Sequence, residues 1–375
     1  MENKLQKIFD YLQWRGDLDF DAAPFNEIDG AVLCLLAYLD YTGLVSAAFR
    51  GETLTISTID SLYFGRALPS DLRVLDLLKA CSKSKRFGKI KVFGHVSKLD
   101  GEESKQFCGI TYVLPSKKKQ ACIVFRGTDV TLIGWKEDFN MMFTFPIPCQ
   151  EEARQYLEIA TKAFRGYELY LAGHSKGGNA AIYASSFCTE KAFSRLKSIY
   201  TFDSPGFDKD LVDIKIFKRV QNKIKSFIPK DSVIGMLLEN PIGFTVVDSD
   251  AFGLSQHDVF SWGVKGPNFI TCDSVSSFSI GAKKTMTRWL ELLDMQQRRK
   301  FVDVLFDILD ECGIKEIRDF EKGDFSTVLT AVKFFAGLDD TSKDCVFKAL
   351  GLFFKAAHER NSIELENIQS KRDSF

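Results

Sequence analysis

The sequence predicts an α/β fold: a mainly parallel central sheet flanked by helices, with helical extensions at both ends. Three observations predict it. From residue 121 to 247, short apolar runs alternate with helical patterns, the order that builds a parallel sheet with helices on both faces. In the middle of that stretch an apolar run, Tyr167–Ala172, meets Gly173-x-Ser175-x-Gly177, and a helical pattern follows as far as Phe187. On either side, residues 1–85 and 271–375 carry apolar side chains at helical spacing. The chain therefore divides into an N-terminal helical segment packed on the core (1–85), a core (86–270) and a C-terminal helical region (271–375).

The elements follow in order. Leu5, Ile8, Phe9 and Leu12 share one helical face, Asn26–Tyr41 reads as a buried apolar helix, and Asp71–Ala80 as a third, through Leu72, Leu75, Leu77 and Leu78. No ionisable group in this segment has an obvious partner. Trp14-Arg15-Gly16-Asp17 reads as a solvated turn, with substrate contact as the second reading. At Lys89 the period drops to two. Strands are expected at Ile90–Val96, Gly109–Leu114 and Ala121–Phe125, the last two joined by a polar turn with three solvated lysines. Arg126-Gly127-Thr128-Asp129 ends the third. A helix over Glu151–Phe164 precedes the Ser175 stretch. After it come a strand Ser198–Phe202 ending in Asp203-Ser204-Pro205-Gly206 and a helix Asp213–Lys223. A strand Ile224–Ile228 then runs into Pro229-Lys230-Asp231, and a strand Phe244–Val247 closes the series. One long helix is expected over Thr287–Leu309, with a stop at Gly313. Further apolar faces lie at Val328–Phe335 and Val346–Phe354, and a polar, frayed tail begins at Asn361.

Composition excludes several functions. Lys+Arg and Asp+Glu both number 50, so no net field draws nucleic acid, and no nucleic-acid partner is expected. With 45% hydrophobic residues and 34 Phe, the chain can bury a large core or line an apolar site. The nine Cys are odd in number, scattered, and partly inside apolar runs; they read as reduced, buried thiols of a cytoplasmic protein. Met1–Lys7 opens a charged amphipathic pattern rather than a signal peptide. The longest early apolar run, Gly30–Leu39, is far short of the ~20 residues that cross a bilayer, so no transmembrane segment is expected. The scattered Cys and lone His offer no metal-ligand spacing, and no cofactor is expected.

Strand, Gly-x-Ser-x-Gly and helix in succession form a nucleophile elbow. The turn is so tight that glycine is wanted two residues either side of Ser175, and the following helix aims free N–H groups at developing negative charge. A serine hydroxyl needs a base. Of four His, His174 adjoins the nucleophile on a turn that aims its side chain away, and His95 lies before the elbow. α/β-Hydrolases run nucleophile, acid, histidine. His257 and His358 satisfy that order, and His257, just after the last strand, is the candidate; the other reading is a loop histidine bonded to Asp258. The acid should stand at a strand end between them. Asp231 is the first choice, Asp203 the alternative acid, with Asp248 and Asp250 behind; Asp203 also reads as a turn-former. The oxyanion needs two preset donors. These are assigned to the N–H of Lys176 and to Thr128, which offers an N–H and a hydroxyl. Arg126 should brace that turn on a carboxylate such as Asp138.

Assembled, the residues resemble the class 3 lipases, the fungal-lipase-like α/β-hydrolases. The matching pieces are Val124-Phe125-Arg126-Gly127-Thr128, Trp135-Lys136-Glu137-Asp138, Gly173-His174-Ser175-x-Gly177-Gly178, Tyr200-Thr201-Phe202-x-Ser204-Pro205-Gly206, Asp231, and His257 followed by Trp262. They cover about residues 89–265, and also resemble an uncharacterised bacterial branch of that superfamily. The resemblance implies an α/β-hydrolase catalytic core and a lipase- or esterase-like enzyme acting on a small-molecule or lipid carboxylic ester, with transient contact to a membrane surface possible in principle. It puts Thr128 at the oxyanion position. Lys176 replaces the usual Leu there, either to favour an acidic head group or to face solvent. Asp129–Trp135 takes the lid position, followed by the apolar Met141–Pro148. That stretch is either an acyl-pocket wall under a mobile cover or core packing of one more strand. The same machinery suits a thioesterase or acyltransferase. A non-catalytic binding module, or an interaction protein working through its helical flanks, are the readings of a different class.

Overall fold

The computed structural model describes residues 5–51, 53–66, 69–316, 319 and 325–372. Met1–Lys4, which open the charged N-terminal pattern, lie outside the described residues, as do the side chains of Val328 and Leu329 and those of the tail from Asn361. The elements in chain order are α1 (Ile8–Arg15), α2 (Glu27–Leu36), β1 (Leu54–Thr55), α3 (Ile56–Leu62) and α4 (Arg73–Lys83). Next come β2 (Lys91–Asp100), β3 (Lys105–Val113), β4 (Gln120–Phe125), α5 (Leu132–Asn140), α6 (Pro148–Ala163), β5 (Glu168–His174), α7 (Lys176–Phe187) and α8 (Glu190–Phe193). Then follow β6 (Leu196–Phe202), β7 (Ile224–Pro229), β8 (Thr245–Val247), β9 (Val264–Lys265), β10 (Asn268–Phe269) and β11 (Thr271–Cys272). The chain closes with α9 (Ser277–Glu291), α10 (Met295–Glu311), α11 (Phe325–Gly337) and α12 (Asp340–Arg372).

Nine strands form one sheet in the order β1-β2-β3-β4-β5-β6-β7-β8-β11. From β4 to β8 every pair is parallel. The antiparallel strands β1–β3 extend one edge and β11 the other. This is the α/β-hydrolase fold. Side chains alternate across it as the pleat demands. Ala121, Ile123 and Phe125 of β4 pack with Leu169 and Leu171 of β5 against α6 and α7. Cys122, Val124, Tyr170 and Ala172 face the other way, into a core closed by α1, α2 and α4. The N-terminal segment is thus the second helical layer of the sheet. A buried ion pair the sequence did not betray ties it to the core: Arg86 Nε donates to Asp29 Oδ1 at 2.7 Å, and Tyr11 OH to the same oxygen at 2.8 Å. Both charged side chains are fully buried, and the guanidinium also sits 4.1 Å over the Phe20 ring.

Three helical expectations change. The long helix over Thr287–Leu309 is two helices, α9 and α10, because Asp294 caps a new start: its side chain accepts from Gln297 N while Gln297 reaches back to Asp294 N. Asp213–Lys223 winds as a short 3₁₀ helix, Ile214–Val220. The tail from Asn361 continues α12 to Arg372. Trp14, at the end of α1, is exposed. Among the described residues no cysteine forms a disulfide, and seven of the nine are buried. Among the described residues no helix is long and apolar enough to cross a membrane.

Candidate active site

Ser175 joins β5 to α7 with φ 57° and ψ −133°, a backbone region that non-glycine residues avoid. The sterics around it explain the motif. A Cβ on Gly173 would lie 2.2 Å from Gly177 O, and one on Gly177 only 2.0 Å from Phe125 O. Ser175 is held from behind, its N–H donating to Phe202 O at 2.9 Å. The first N–H groups of α7, beginning with Lys176, have no intrahelical acceptor.

The parallel register pairs His174 with Phe202, so Ser175 and Asp203 leave neighbouring strands at the same level. Asp203, also at positive φ (45°), is 1% exposed. Its Oδ2 accepts from His257 Nδ1 at 2.6 Å, and its Oδ1 accepts from Ser232 Oγ and from Gly235 N. A carboxylate accepts, so Nδ1 carries the proton and Nε2 is left as a base. The expected pairing of Asp231 with His257 does not form. Asp231 instead exchanges hydrogen bonds with Gln256: its N–H donates to Gln256 Oε1 at 2.8 Å, and Gln256 Nε2 donates to Asp231 Oδ2 at 3.1 Å. Gly253 N donates to Oδ2 as well, at 3.3 Å. Asp231 therefore grips the 3₁₀ turn Gly253–His257 from below, while its partner at the next strand end grips the ring. Asp250 pairs with Lys7 at 2.5 Å, and Asp258 with Arg73 of α4 at 2.9 Å. Asp248 accepts from Ser249 N. None of these three meets His257. Among the described residues Ser175 Oγ makes no hydrogen bond to the ring; the two side chains line one cavity.

His174 does not point away. Its ring stands 4.4 Å, centroid to centroid, from that of His257, and its Nε2 lies 2.9 Å from His257 O. A carbonyl only accepts, so Nε2 carries the proton and Nδ1 must accept from the Tyr38 hydroxyl 3.0 Å away. Burial, then the neighbouring His257, push His174 down to about 3, and burial pushes the Tyr38 phenol up. Both stay neutral and hold the His257 backbone.

On the other side of the serine, the side chain of Lys176 neither reaches a head-group site nor faces solvent. It is 2% exposed and donates to Glu137 Oε2 at 2.7 Å, with Asp138 Oδ1 at 3.6 Å. Burial alone would push the ammonium down; Asp138 and Glu137 outweigh it and hold Lys176 above the usual lysine range. Fully buried Glu137 also accepts from Gln106 N and Cys149 N, at 3.0 and 2.8 Å. Asp138 accepts from Thr128 Oγ1 at 2.5 Å, which leaves the Thr128 N–H as the donor to offer. Asp138 is thus taken by Thr128, and Arg126 braces its turn on Asp129 instead, at 3.1 Å.

Ser175 and His257 open into a cavity of about 520 Å³. Met141, Met142, Ile234, Met236 and Leu238 supply apolar wall from the core, and Met286 and Leu290 from α9. Tyr38 and Val74 come from the N-terminal segment. Sequence reasoning missed the contributions of both flanks. The one available signal was Tyr38 itself, a hydroxyl-tipped ring inside the apolar run Gly30–Leu39. The lid-position segment Asp129–Trp135 runs into a helix, α5, and Met141–Ile147 after it winds through turns rather than forming one more strand. Phe139 packs edge-on against Phe306 of α10 at 5.6 Å, and Met142 and Phe143 join the core of α9 and α10. Met142 thus serves core and cavity together.

The chain is similar in structure to a fungal lipase in an inhibitor complex, at 13% identity and a TM-score of 0.40 over 71% of this chain and 91% of that one. It is similar to M37 lipase at 14% identity and 0.36, over 56% and 70%. It is also similar to the Rhizomucor miehei lipase propeptide complex at 16% and 0.34, over 59% and 70%. No curated protein matches the chain. The family described as Mbeg1-like matches over residues 81–307, from the end of α4 through α10 and so across the whole parallel sheet and the Ser175 elbow. That stretch is more than half of the chain, and the chain belongs to the Mbeg1-like family.

Proposed function

We propose that the protein is a serine hydrolase that cleaves carboxylic esters with an apolar acyl group. One observation carries the reading: a strained serine elbow and His257, which is paired with Asp203, share one largely apolar cavity. In this mechanism His257 Nε2 takes the Ser175 proton as Oγ bonds to the ester carbonyl carbon. The oxyanion rests on the Thr128 and Lys176 N–H groups. The carbon–oxygen bond to the alcohol breaks, and His257 returns the proton to the leaving oxygen. Water, deprotonated by the same ring, then releases the acid and restores Ser175. Asp203 keeps the imidazole in the required tautomer and steadies its charged form. The apolar wall supports an acyl chain in the cavity, and the α9 residues make the C-terminal region part of that wall.

The test is labelling by a fluorophosphonate, wild type beside Ser175→Ala and His257→Ala, with a p-nitrophenyl ester chain-length series on the same samples. Labelling at Ser175, lost in both variants, is the expected result. Each added methylene should raise kcat/KM about fourfold, the worth of ~0.8 kcal/mol per buried CH₂, until the cavity fills. A folded wild type that is not labelled and turns over no ester would move the protein to the binding-module class.

A further inference from the structure

The apolar cavity beside Ser175 takes its walls from two sources, the core and α9, and one buried side chain ties the two together from behind. Arg298, in the first turn of α10, is 5% exposed. All three of its nitrogens are engaged. Nη1 donates to Met142 O at 2.9 Å and to Asp208 Oδ2 at 2.7 Å. Nη2 donates to Leu290 O at 2.7 Å, and Nε to Leu293 O at 3.2 Å. Met142 and Leu290 both line the cavity, the first from the core and the second from the end of α9. Asp208 lies five residues beyond Asp203, past Pro205, which lines the cavity too. The neighbouring Arg299 sits 4.7 Å over the ring of Phe143, so the start of α10 grips the Met142–Phe143 turn twice.

Cohesion alone does not call for these partners. The other buried arginine, Arg86, bonds the carbonyls of Leu18, Asp19, Ala23 and Pro24, and none of those residues lines the cavity. A guanidinium is a planar fork whose donors keep a fixed spacing. One such fork on a carbonyl of each wall sets how far apart the walls stand. A lysine ammonium is a point charge on a flexible stem and cannot hold both walls in one geometry. The distance matters because an acyl chain between the walls is held by close contact. A gap of about 0.5–1 Å already forfeits a quarter to a half of each contact's attraction.

We propose that Arg298 is a positioning residue that sets the width of the apolar cavity, and that this width determines how strongly a longer acyl chain is favoured over a shorter one. The inference rests on the ester-hydrolase reading. Arg298 touches neither the ester nor Ser175 and moves no proton. Its influence therefore grows with each methylene that enters the cavity, and the shortest ester is nearly blind to it.

The experiment measures kcat/KM for p-nitrophenyl acetate, butyrate, hexanoate and octanoate. It is run on the full chain as wild type, as Arg298→Lys, as Arg298→Met combined with Asp208→Asn, and as Arg86→Lys. Wild type should gain about fourfold per methylene. In both Arg298 variants the step should fall to about twofold, half of the contact being lost, with acetate turnover within about twofold of wild type. Arg86→Lys loses the same kind of buried fork away from the cavity and should keep the fourfold step. Lost stability alone lowers all four esters together and leaves the step unchanged. The double variant removes both buried charges, so it stands if Arg298→Lys leaves Asp208 too poorly paired to fold. A fourfold step kept by the Arg298 variants, or a step flattened equally in Arg86→Lys, overturns the proposal, while ester turnover and Ser175 labelling keep the hydrolase reading. A flat wild-type series with Ser175 still labelled does the same. Absence of labelling and of all turnover overturns both.

Discussion

Two charged constellations flank Ser175, and they are built in opposite ways. On one side the His257 ring is 29% exposed, sits on a 3₁₀ turn, and meets its acid through a single 2.6 Å contact. On the other, Lys176 and Glu137 are sealed at 2% and 0% exposure, with Glu137 anchored to strand β3 and helix α6. In the proposed mechanism the half-open group is the one whose charge changes during proton transfer, and partial exposure keeps that change cheap. In the proposed mechanism the sealed pair holds the two residues whose N–H groups receive the oxyanion: Lys176 directly, and Thr128 through Asp138. That mechanism puts proton traffic and backbone positioning on different sides of one serine.

The largest effect should come from the half-open side. Asp203→Asn removes the carboxylate that selects the His257 tautomer, and kcat should fall by about 10³–10⁴. Asp231→Asn, whose carboxylate accepts from Gln256 and Gly253, should cost less than about tenfold. Steady-state kinetics on one ester separates them, and equal losses would break the assignment of Asp203 as the acid.

The sealed side should answer in stability. Glu137→Gln leaves Lys176 underpaid in charge and should cost about 3–5 kcal/mol, the usual cost of breaking a buried pair. Replacing both partners, Lys176→Met with Glu137→Gln, should recover part of that loss. Urea unfolding of the four proteins gives the coupling energy. If the single variant lost less than about 1 kcal/mol, the two sides would not differ as described.

How much of this was legible in the sequence follows from what each part depends on. The elbow was readable because its chemistry is local: the sterics of Gly173 and Gly177 act across two residues. The strand series was readable because burial on both faces makes continuous apolar runs such as Ala121–Phe125. The carboxylate that meets His257 was not, since Asp203 and Asp231 both end parallel strands. What separates them is the path of the loop that brings Gln256 to one and His257 to the other. Lys176 misled because a charge beside a nucleophile suggests solvent or substrate. Only the packing of α5 against β3 reveals Glu137 beneath it. The polar turn Asp294-Met295-Gln296-Gln297 held a readable capping signal inside a long apolar pattern, and the pattern overrode it.

A third prediction probes the contact between N-terminal segment and site. Tyr38→Phe removes the donor to His174 Nδ1 and leaves a buried acceptor unpaired, at about 1–3 kcal/mol of stability. The freed imidazole can then move its proton to Nδ1, which deprives His257 O of its donor. The expected signature is a fall in kcat of about tenfold with KM little changed, the pattern of a group that positions the base. An equal rise in KM would assign Tyr38 to substrate binding instead.

The smallest effect is a slope. His174 and His95 are held near 3 and 4, below the ordinary 6.5. With both pKa values depressed in the fold, the unfolded chain binds more protons below pH 6.5. Their contribution is complete above that pH and is lost as pH falls toward the folded values, at about 1.4 kcal/mol per pH unit for each ring. Unfolding free energies from pH 7.5 to 5 should therefore decline more steeply in wild type than in His174→Asn, by about one proton. Carboxylates titrate in both proteins and drop out of the difference. Equal slopes would mean that His174 is free to charge, and the half-open side of Ser175 would then reach one layer deeper than His257.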